Sequence, residues 1–173
     1  MRIEEVTSLE LKHFKTQDSI RILNVRDAKT PAGNRSVPIH SKLIELGFLE
    51  YFDEVKNRHG ADSRLFWYLK VGHNGTKKNL SRRFSEYLVK IGVKEDDNCF
   101  HSLRHTVITR LAARNVNDST SYQLTGHQSD KSAHYDYLHP LPVPVLKDAV
   151  EQLDFHALLD LSEFDHRQAY KQF

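Results

Sequence analysis

Apolar and polar residues alternate only within residues 19–39 of this chain. Over residues 40–46, 79–91, 102–114 and 144–153 the pattern is helical instead. So little strand can build only a small sheet, and helices must cover its apolar face. In SIRILNVR, residues 19–26, Ile20 and Ile22 mark one strand, with Val25 less regular; RSVPI, residues 35–39, marks a second. DAKTPAGN lies between them and is rich in turn formers, which predicts an antiparallel β-hairpin with a loop of about eight residues. Residues 40–46 read as a short helix stopping at Gly47. Residues 79–91 carry the clearest helical stripe, with Leu80, Phe84, Tyr87, Leu88 and Ile91 on one face and Gly92 to end it. Leu103, Val107, Ile108 and Leu111 predict a helix over 102–114. Asp118 is the expected N-cap of a short helix over 118–124. Pro144 suits the first turn of a helix over 144–153. The expected class is α+β, mainly helical.

The chain has 173 residues, of which 39% are hydrophobic, enough for one domain with its own core. A formal net charge of only +2 at this apolar content argues against disorder. Cys99 is the single cysteine, which excludes a disulfide framework and a cysteine-rich zinc finger and fits a reducing, cytoplasmic setting. The first residues, MRIEE, lack the apolar segment of a signal peptide, and no apolar run approaches the roughly 20 residues that span a bilayer.

The small total charge hides an uneven distribution. Residues 56–94 hold 10 basic and 2 acidic residues, a net of +8, whereas residues 148–173 hold 2 basic and 6 acidic, a net of −4. A concentrated basic stretch can neutralise phosphates and release counterions, although a solvated helix face reads the same way. Lys77, Lys78, Arg82 and Arg83, at the start of the clearest helix, are the candidates for contacts to a phosphate backbone.

The polar residues near 101–137 suggest chemistry. In His101-Ser102-Leu103-Arg104-His105, His101 and Arg104 lie three apart and share a helix face. A guanidinium donates two parallel hydrogen bonds to phosphoryl oxygens, and an imidazole beside it can shuttle a proton. Gly126-His127 follows 22 residues after the arginine, and Tyr135 and Tyr137 come soon after. A phenol has an ordinary pKa of about 10 and is a weak nucleophile. Held among cations against a phosphodiester, it can become a covalent catalyst. Taken singly, each element has a plainer account: a solvated helix start, a C-cap with a dipole-compensating histidine, or packing tyrosines.

Taken together, in order, these elements resemble the catalytic domain of the tyrosine recombinases, or phage integrases, which cut and rejoin DNA through a phosphotyrosine. Arg2-Ile3-Glu4-Glu5 is similar to the family's R-x-x-E segment. Lys29-Thr30 followed by Arg35-Ser36-Val37-Pro38 is similar to its lysine-bearing β-hairpin. Phe100 to Thr106 resembles its central box, Leu124-Thr125-Gly126-His127 its second histidine, and Tyr137 to Phe155 its nucleophile and closing helix. The resemblance implies an integrase catalytic fold with a small hairpin or three-stranded sheet. It also implies that Tyr137 attacks the scissile phosphate and that Arg2 and Arg104 hold its non-bridging oxygens. His127 adds a hydrogen bond, Lys29 protonates the leaving 5′ oxygen, and His101 assists proton transfer. Neither a metal nor another cofactor is implied. The commoner spacing from the glycine-histidine pair lands on Asp136, so Tyr135 stays open as the alternative nucleophile.

The implied partner is double-stranded DNA, bound by a homo-oligomer, a tetramer in the family. Nothing in 1–173 corresponds to the family's N-terminal DNA-binding domain. The expectation is therefore a single catalytic domain with an acidic tail, residues 154–173, that packs on its own domain or in trans on a neighbour. Two other readings keep the same residues: a non-catalytic DNA-binding remnant and an enzyme resembling type IB topoisomerases. A zinc hydrolase fits poorly, because Ser102 stands where the glutamate base would be and Arg104 would repel the ion. Cys99 is expected to be a buried small residue, and Phe66, Trp67 and Tyr68 to pack in the core or at its lip.

Overall fold

The computed structural model describes residues 1–26, 34–69, 76–126 and 140–154. A short helix α1 (Ile3–Thr7) and a 3₁₀ turn (Leu11–His13) lead into strands β1 (Phe14–Gln17), β2 (Ile20–Val25) and β3 (Arg35–Pro38). Helices α2 (Ser41–Glu45), α3 (Phe48–His59), α4 (Lys77–Lys90), α5 (Phe100–Ala113), α6 (Asp118–Thr125) and α7 (Val143–Glu151) follow. The three strands form one antiparallel sheet in the order β1-β2-β3.

β2 and β3 pair as expected, with Leu23 opposite Val37 and Val25 opposite Arg35. β1 is an addition. It pairs with β2 through a two-residue turn at Asp18 and Ser19, both at positive φ (51° and 61°). Two successive left-handed residues give the turn the twist that a hairpin needs. Only Phe14 of β1 is even half-buried, so the strand has no apolar alternation to announce it. α3 is a second addition; Phe48, Tyr51, Phe52 and Val55 lie along it at helical spacing and pack with Leu9, Leu11, Leu23 and Leu65.

The second apolar cluster positions the candidate site. Leu111 of α5, Leu124 of α6 and Leu146, Ala149, Val150 and Leu153 in and after α7 are buried together, with Val37 of β3 packed against them. Lys147 ties α7 to the corner between β3 and α2, donating to the Ile39 carbonyl at 2.7 Å. Glu151 accepts from the Ser41 backbone N–H at 2.9 Å and its hydroxyl at 2.6 Å. Partial burial works to raise the Glu151 pKa, but Lys147 and Ser41 outweigh it and hold it at about 2.

Several expectations need correction. Asn117, not Asp118, caps α6: its side chain accepts from the Thr120 N–H at 2.8 Å. The buried face of α5 carries Arg104 and Leu111, while Leu103 is 48% exposed. On α4, Leu80, Phe84 and Leu88 are half-buried but Tyr87 and Ile91 are exposed. Cys99 is exposed at the start of α5 rather than buried. Trp67 stacks on His59 with ring centroids 4.4 Å apart, at the lip of the core. Among the described residues no helix is long and apolar enough to cross a membrane.

Leu111 is fully buried. Leu111→Ala should lower stability by about 2–5 kcal/mol, whereas Leu103→Ala should change it by less than about 0.5 kcal/mol. Urea unfolding of the two variants checks this, and equal losses would contradict the described face of α5.

Candidate active site

Three arginines from three distant parts of the chain meet at the C-terminal end of α6. Arg2 stands at the N-cap of α1, Arg35 opens β3, and Arg104 lies one turn into α5. The last carbonyls of a helix have no partner within it and carry the negative end of its dipole. Here each of three successive carbonyls is taken by a different arginine. Arg35 Nε donates to the Leu124 carbonyl at 3.0 Å, Arg104 Nη1 to that of Thr125, and Arg2 Nη2 to that of Gly126 at 3.2 Å. Gly126 turns the chain out of the helix in the left-handed region, at φ 66°, where a side chain is strained. A Cβ there would also lie 2.6 Å from Arg35 Nη1.

One carboxylate offsets part of this cluster's charge. Glu5, at the third position of α1, accepts the Arg2 backbone N–H at 2.7 Å and Arg2 Nη1 at 3.3 Å. Its two oxygens also receive Arg35 Nη2 at 2.9 Å and Nη1 at 3.3 Å, a bidentate pair with both side chains buried. Burial pushes the Glu5 pKa up, but the bonds from Arg35 and Arg2 outweigh it and hold the carboxyl below its usual range. Burial and the neighbouring Arg2 and Arg35 lower the pKa of Arg104.

His101 lies beyond this cluster, exposed, with its ring 4.9 Å from that of His105. Partial desolvation, then His105, Arg104 and Arg2, push its pKa below the ordinary value. Its neutral form, able to accept a proton, is therefore favoured. The N-terminus of α5 is fixed locally: the Cys99 backbone N–H donates to Ser102 Oγ at 3.2 Å, and that hydroxyl donates to the Asp97 carbonyl at 3.2 Å.

An open cleft of about 1490 Å³ runs between α1, the first two turns of α4 and the start of α5. Arg2 and His101 line it, and Lys77, Lys78, Arg82 and Arg26 make it basic. Lys77 contacts Glu4 at 3.1 Å and Arg82 contacts Glu86 at 2.6 Å, with all four side chains more than half exposed. Such pairs are weakly held and can exchange a carboxylate for a phosphate at little cost. Arg83 is placed differently: it is half-buried, donates to Asn79 Oδ1 at 3.0 Å, and its charge acts on half-buried Tyr68. Among the described residues no group of three or more His, Cys, Asp or Glu is arranged to hold a metal ion.

The structure thus brings Arg2 and His101 to one basic cleft, while Arg104 is buried and does not line it, bonding the same end of α6 that holds Arg2. Lys29, His127, Tyr135 and Tyr137 lie outside the described residues, as does most of the acidic tail, 155–173. Reading the sequence alone gave no role to Glu5 or Arg35, which hold the cluster together. One signal was available: a glutamate at the third helical position, three residues after Arg2, is half of a capping box.

Residues 1–142 match the model of the phage integrase family. Tyrosine recombinase XerC of Escherichia coli O127:H6 (strain E2348/69 / EPEC) is 22% identical over 143 residues, covering 80% of this chain and 46% of that protein. Tyrosine recombinase XerC of Escherichia coli (strain K12 / DH10B) is 21% identical over the same length and shares. The chain spans about half the length of these relatives. No solved structure matches it.

The lowered Glu5 pKa has a consequence for acid stability. A carboxyl whose folded pKa is depressed adds stability above its unfolded value, about 4.3, and that stability is lost as pH falls through the folded value. Glu5→Gln should therefore remove stability at pH 7 and flatten its fall below about pH 4.3. Urea midpoints measured from pH 7 to pH 3 check this; parallel curves for the two proteins would contradict it.

Proposed function

The chain belongs to the phage integrase family, and from that premise we propose that it cleaves and rejoins double-stranded DNA through a 3′-phosphotyrosyl intermediate. The observation that carries the reading is that Arg2 and His101 line one basic cleft and that buried Arg104 is held on the carbonyl next to the one that holds Arg2. Two guanidiniums fixed by carbonyls and a carboxylate are preorganised for the charge that builds on a phosphodiester in its transition state. Preorganisation matters because the donors then need no rearrangement when that charge appears.

In the proposed step the Tyr137 phenolic oxygen attacks the scissile phosphorus. The new bond joins tyrosine to the 3′ phosphate, and the bond from phosphorus to the 5′ oxygen breaks. Neutral His101 assists removal of the phenolic proton, and Lys29 delivers a proton to the departing 5′ oxygen. Arg2, Arg104 and His127 hydrogen-bond the non-bridging oxygens. Attack by a second 5′-hydroxyl reverses the sequence on another strand and frees the tyrosine. The ester keeps the bond energy, so no external energy source is needed.

Lys77, Lys78 and Arg82 are assigned to the DNA backbone, which they position without reading its sequence. Arg83, bonded within its own helix, is assigned to holding α4. The active assembly on DNA is proposed to be a homo-oligomer, with the acidic tail, residues 154–173, docking on a neighbouring protomer.

A nicked suicide duplex separates an active enzyme from a DNA-binding remnant. The wild-type chain and Tyr135→Phe should both form a covalent adduct, and Tyr137→Phe none. An adduct that survives Tyr137→Phe but not Tyr135→Phe would move the nucleophile, and no adduct from any of the three would leave only the remnant. Replacing Lys77 and Lys78 together with alanine should weaken DNA binding and reduce the salt slope by about 0.9 for each phosphate no longer neutralised. Gel shifts across a range of salt concentrations check this, and an unchanged slope would remove α4 from the interface.

A further inference from the structure

Neither Arg35 nor Arg104 lines the cleft, but Arg35 bonds Glu5 and packs against Gly126, the two residues that hold Arg2, which does line it. Its Nη1 and Nη2 take the two oxygens of Glu5, and its Nε takes the Leu124 carbonyl. The same Glu5 carboxylate holds Arg2 through both its backbone and its side chain. The same helix end holds Arg104 at Thr125 and Arg2 at Gly126, one and two peptides further on. Arg35 also packs against Gly126 closely enough to exclude a Cβ.

We propose that Arg35 is a positioning residue for the strand-cleavage site: through Glu5 and the end of α6, it fixes the separation of the Arg2 and Arg104 guanidiniums around one phosphodiester, which it does not itself touch. Arg35 and Arg104 are similarly buried, 8% and 5% exposed, but all three nitrogens of the Arg35 guanidinium are already engaged by Glu5 and the Leu124 carbonyl, which sets it apart from the phosphate. The chemistry explains why the residue is arginine. Only a planar fork with a third donor can span two carboxylate oxygens and a carbonyl at once; a lysine supplies a single point charge. Without the fork, Glu5 keeps Arg2 as its only partner among these three arginines. Arg2 is then drawn toward the carboxylate, away from any phosphate. Charge points the same way: three guanidiniums around one carboxylate leave a positive surplus, and Arg35 keeps part of Glu5's charge from cancelling Arg2.

The proposal rests on the strand-cleavage reading for its kinetic consequence but not for its geometric one, so the test has two arms. In the DNA-free protein, the side-chain Nε–H signals of Arg2 and Arg104 are assigned by NMR with Arg2→Lys and Arg104→Lys. In the wild type both should be sharp and slow to exchange with solvent. In Arg35→Lys they should broaden and exchange about tenfold faster or more. In the second arm, single-turnover adduct formation on a saturating nicked duplex should fall by about ten- to a hundredfold in Arg35→Lys. The Kd for the duplex should stay within about twofold to threefold, since the cleft lysines are untouched.

The double variant Glu5→Gln with Arg35→Met removes both charges and guards against a variant that does not fold. It should recover most of the lost Tm, because an uncompensated buried charge is avoided, yet remain slow. Wild-type rates in either variant at saturating DNA would overturn the proposal. So would unchanged Arg2 and Arg104 signals, or a rate loss that disappears once each variant is assayed well below its own Tm. If the wild type forms no adduct, the cleavage reading fails and the NMR arm alone decides whether Arg35 positions the pair.

Discussion

A buried carboxylate shared by two arginines holds this molecule's parts in register. Glu5 lies on a helix of only five residues, too short to be stable alone in water. It binds Arg2 at the start of that same helix and Arg35 on β3, which starts thirty residues later. Burying a carboxylate is costly unless it is paired and hydrogen-bonded, and Glu5 meets both conditions. Its contacts dock α1 on the sheet and turn the N-cap side chain of α1 toward the end of α6.

The end of α6 is the second fixed point. Three successive carbonyls at the negative end of a helix form a natural receptor for cations. Filling it with arginines from α1, β3 and α5 ties four elements together through directional bonds rather than apolar packing alone. The apolar cluster of Leu111, Leu124 and the α7 residues lies beneath and sets the distance between α5 and α6. Lys147 and Glu151 then fasten α7 to the β3–α2 corner. Arg104 is buried where it meets the end of α6, whose Thr125 carbonyl it binds. Packing, charge and the placement of the candidate catalytic groups are thus one arrangement. The cleft beside it collects Lys77 and Arg82 of α4, each in an exposed ion pair whose carboxylate a polyanion can displace easily.

Much of this was legible in the sequence, for identifiable reasons. β2 carries a partial apolar alternation at Ile20 and Ile22, β3 follows a run of turn formers, and α4, α5 and α7 carry apolar positions at helical spacing, so each declares itself locally. Arg104 and His101 stood out because their spacing of three puts both on one helical face. β1 did not, because its residues are mostly exposed and its Asp18-Ser19 turn lacks a glycine. α3 carries an apolar stripe, but Phe48, Tyr51 and Phe52 favour strands by propensity, so pattern and propensity pull apart. Leu103 looked like a core residue because apolarity alone was counted; in the fold that position faces solvent, and Arg104 takes the buried place. The pairing of Glu5 with Arg35 was not legible, since it depends on how two distant elements meet and neither residue carries a local mark of its partner.

In the proposed site Arg2 and Arg104 share one phosphate, while Arg35 stays paired to Glu5 and the Leu124 carbonyl. A crystal structure of the protein bound to a duplex is the decisive measurement. A non-bridging phosphate oxygen should lie within hydrogen-bond distance of both Arg2 and Arg104, with Arg35 still paired to Glu5 and the Leu124 carbonyl. A duplex bound elsewhere on the surface, or a phosphate held by Arg35 in place of Glu5, would contradict this arrangement.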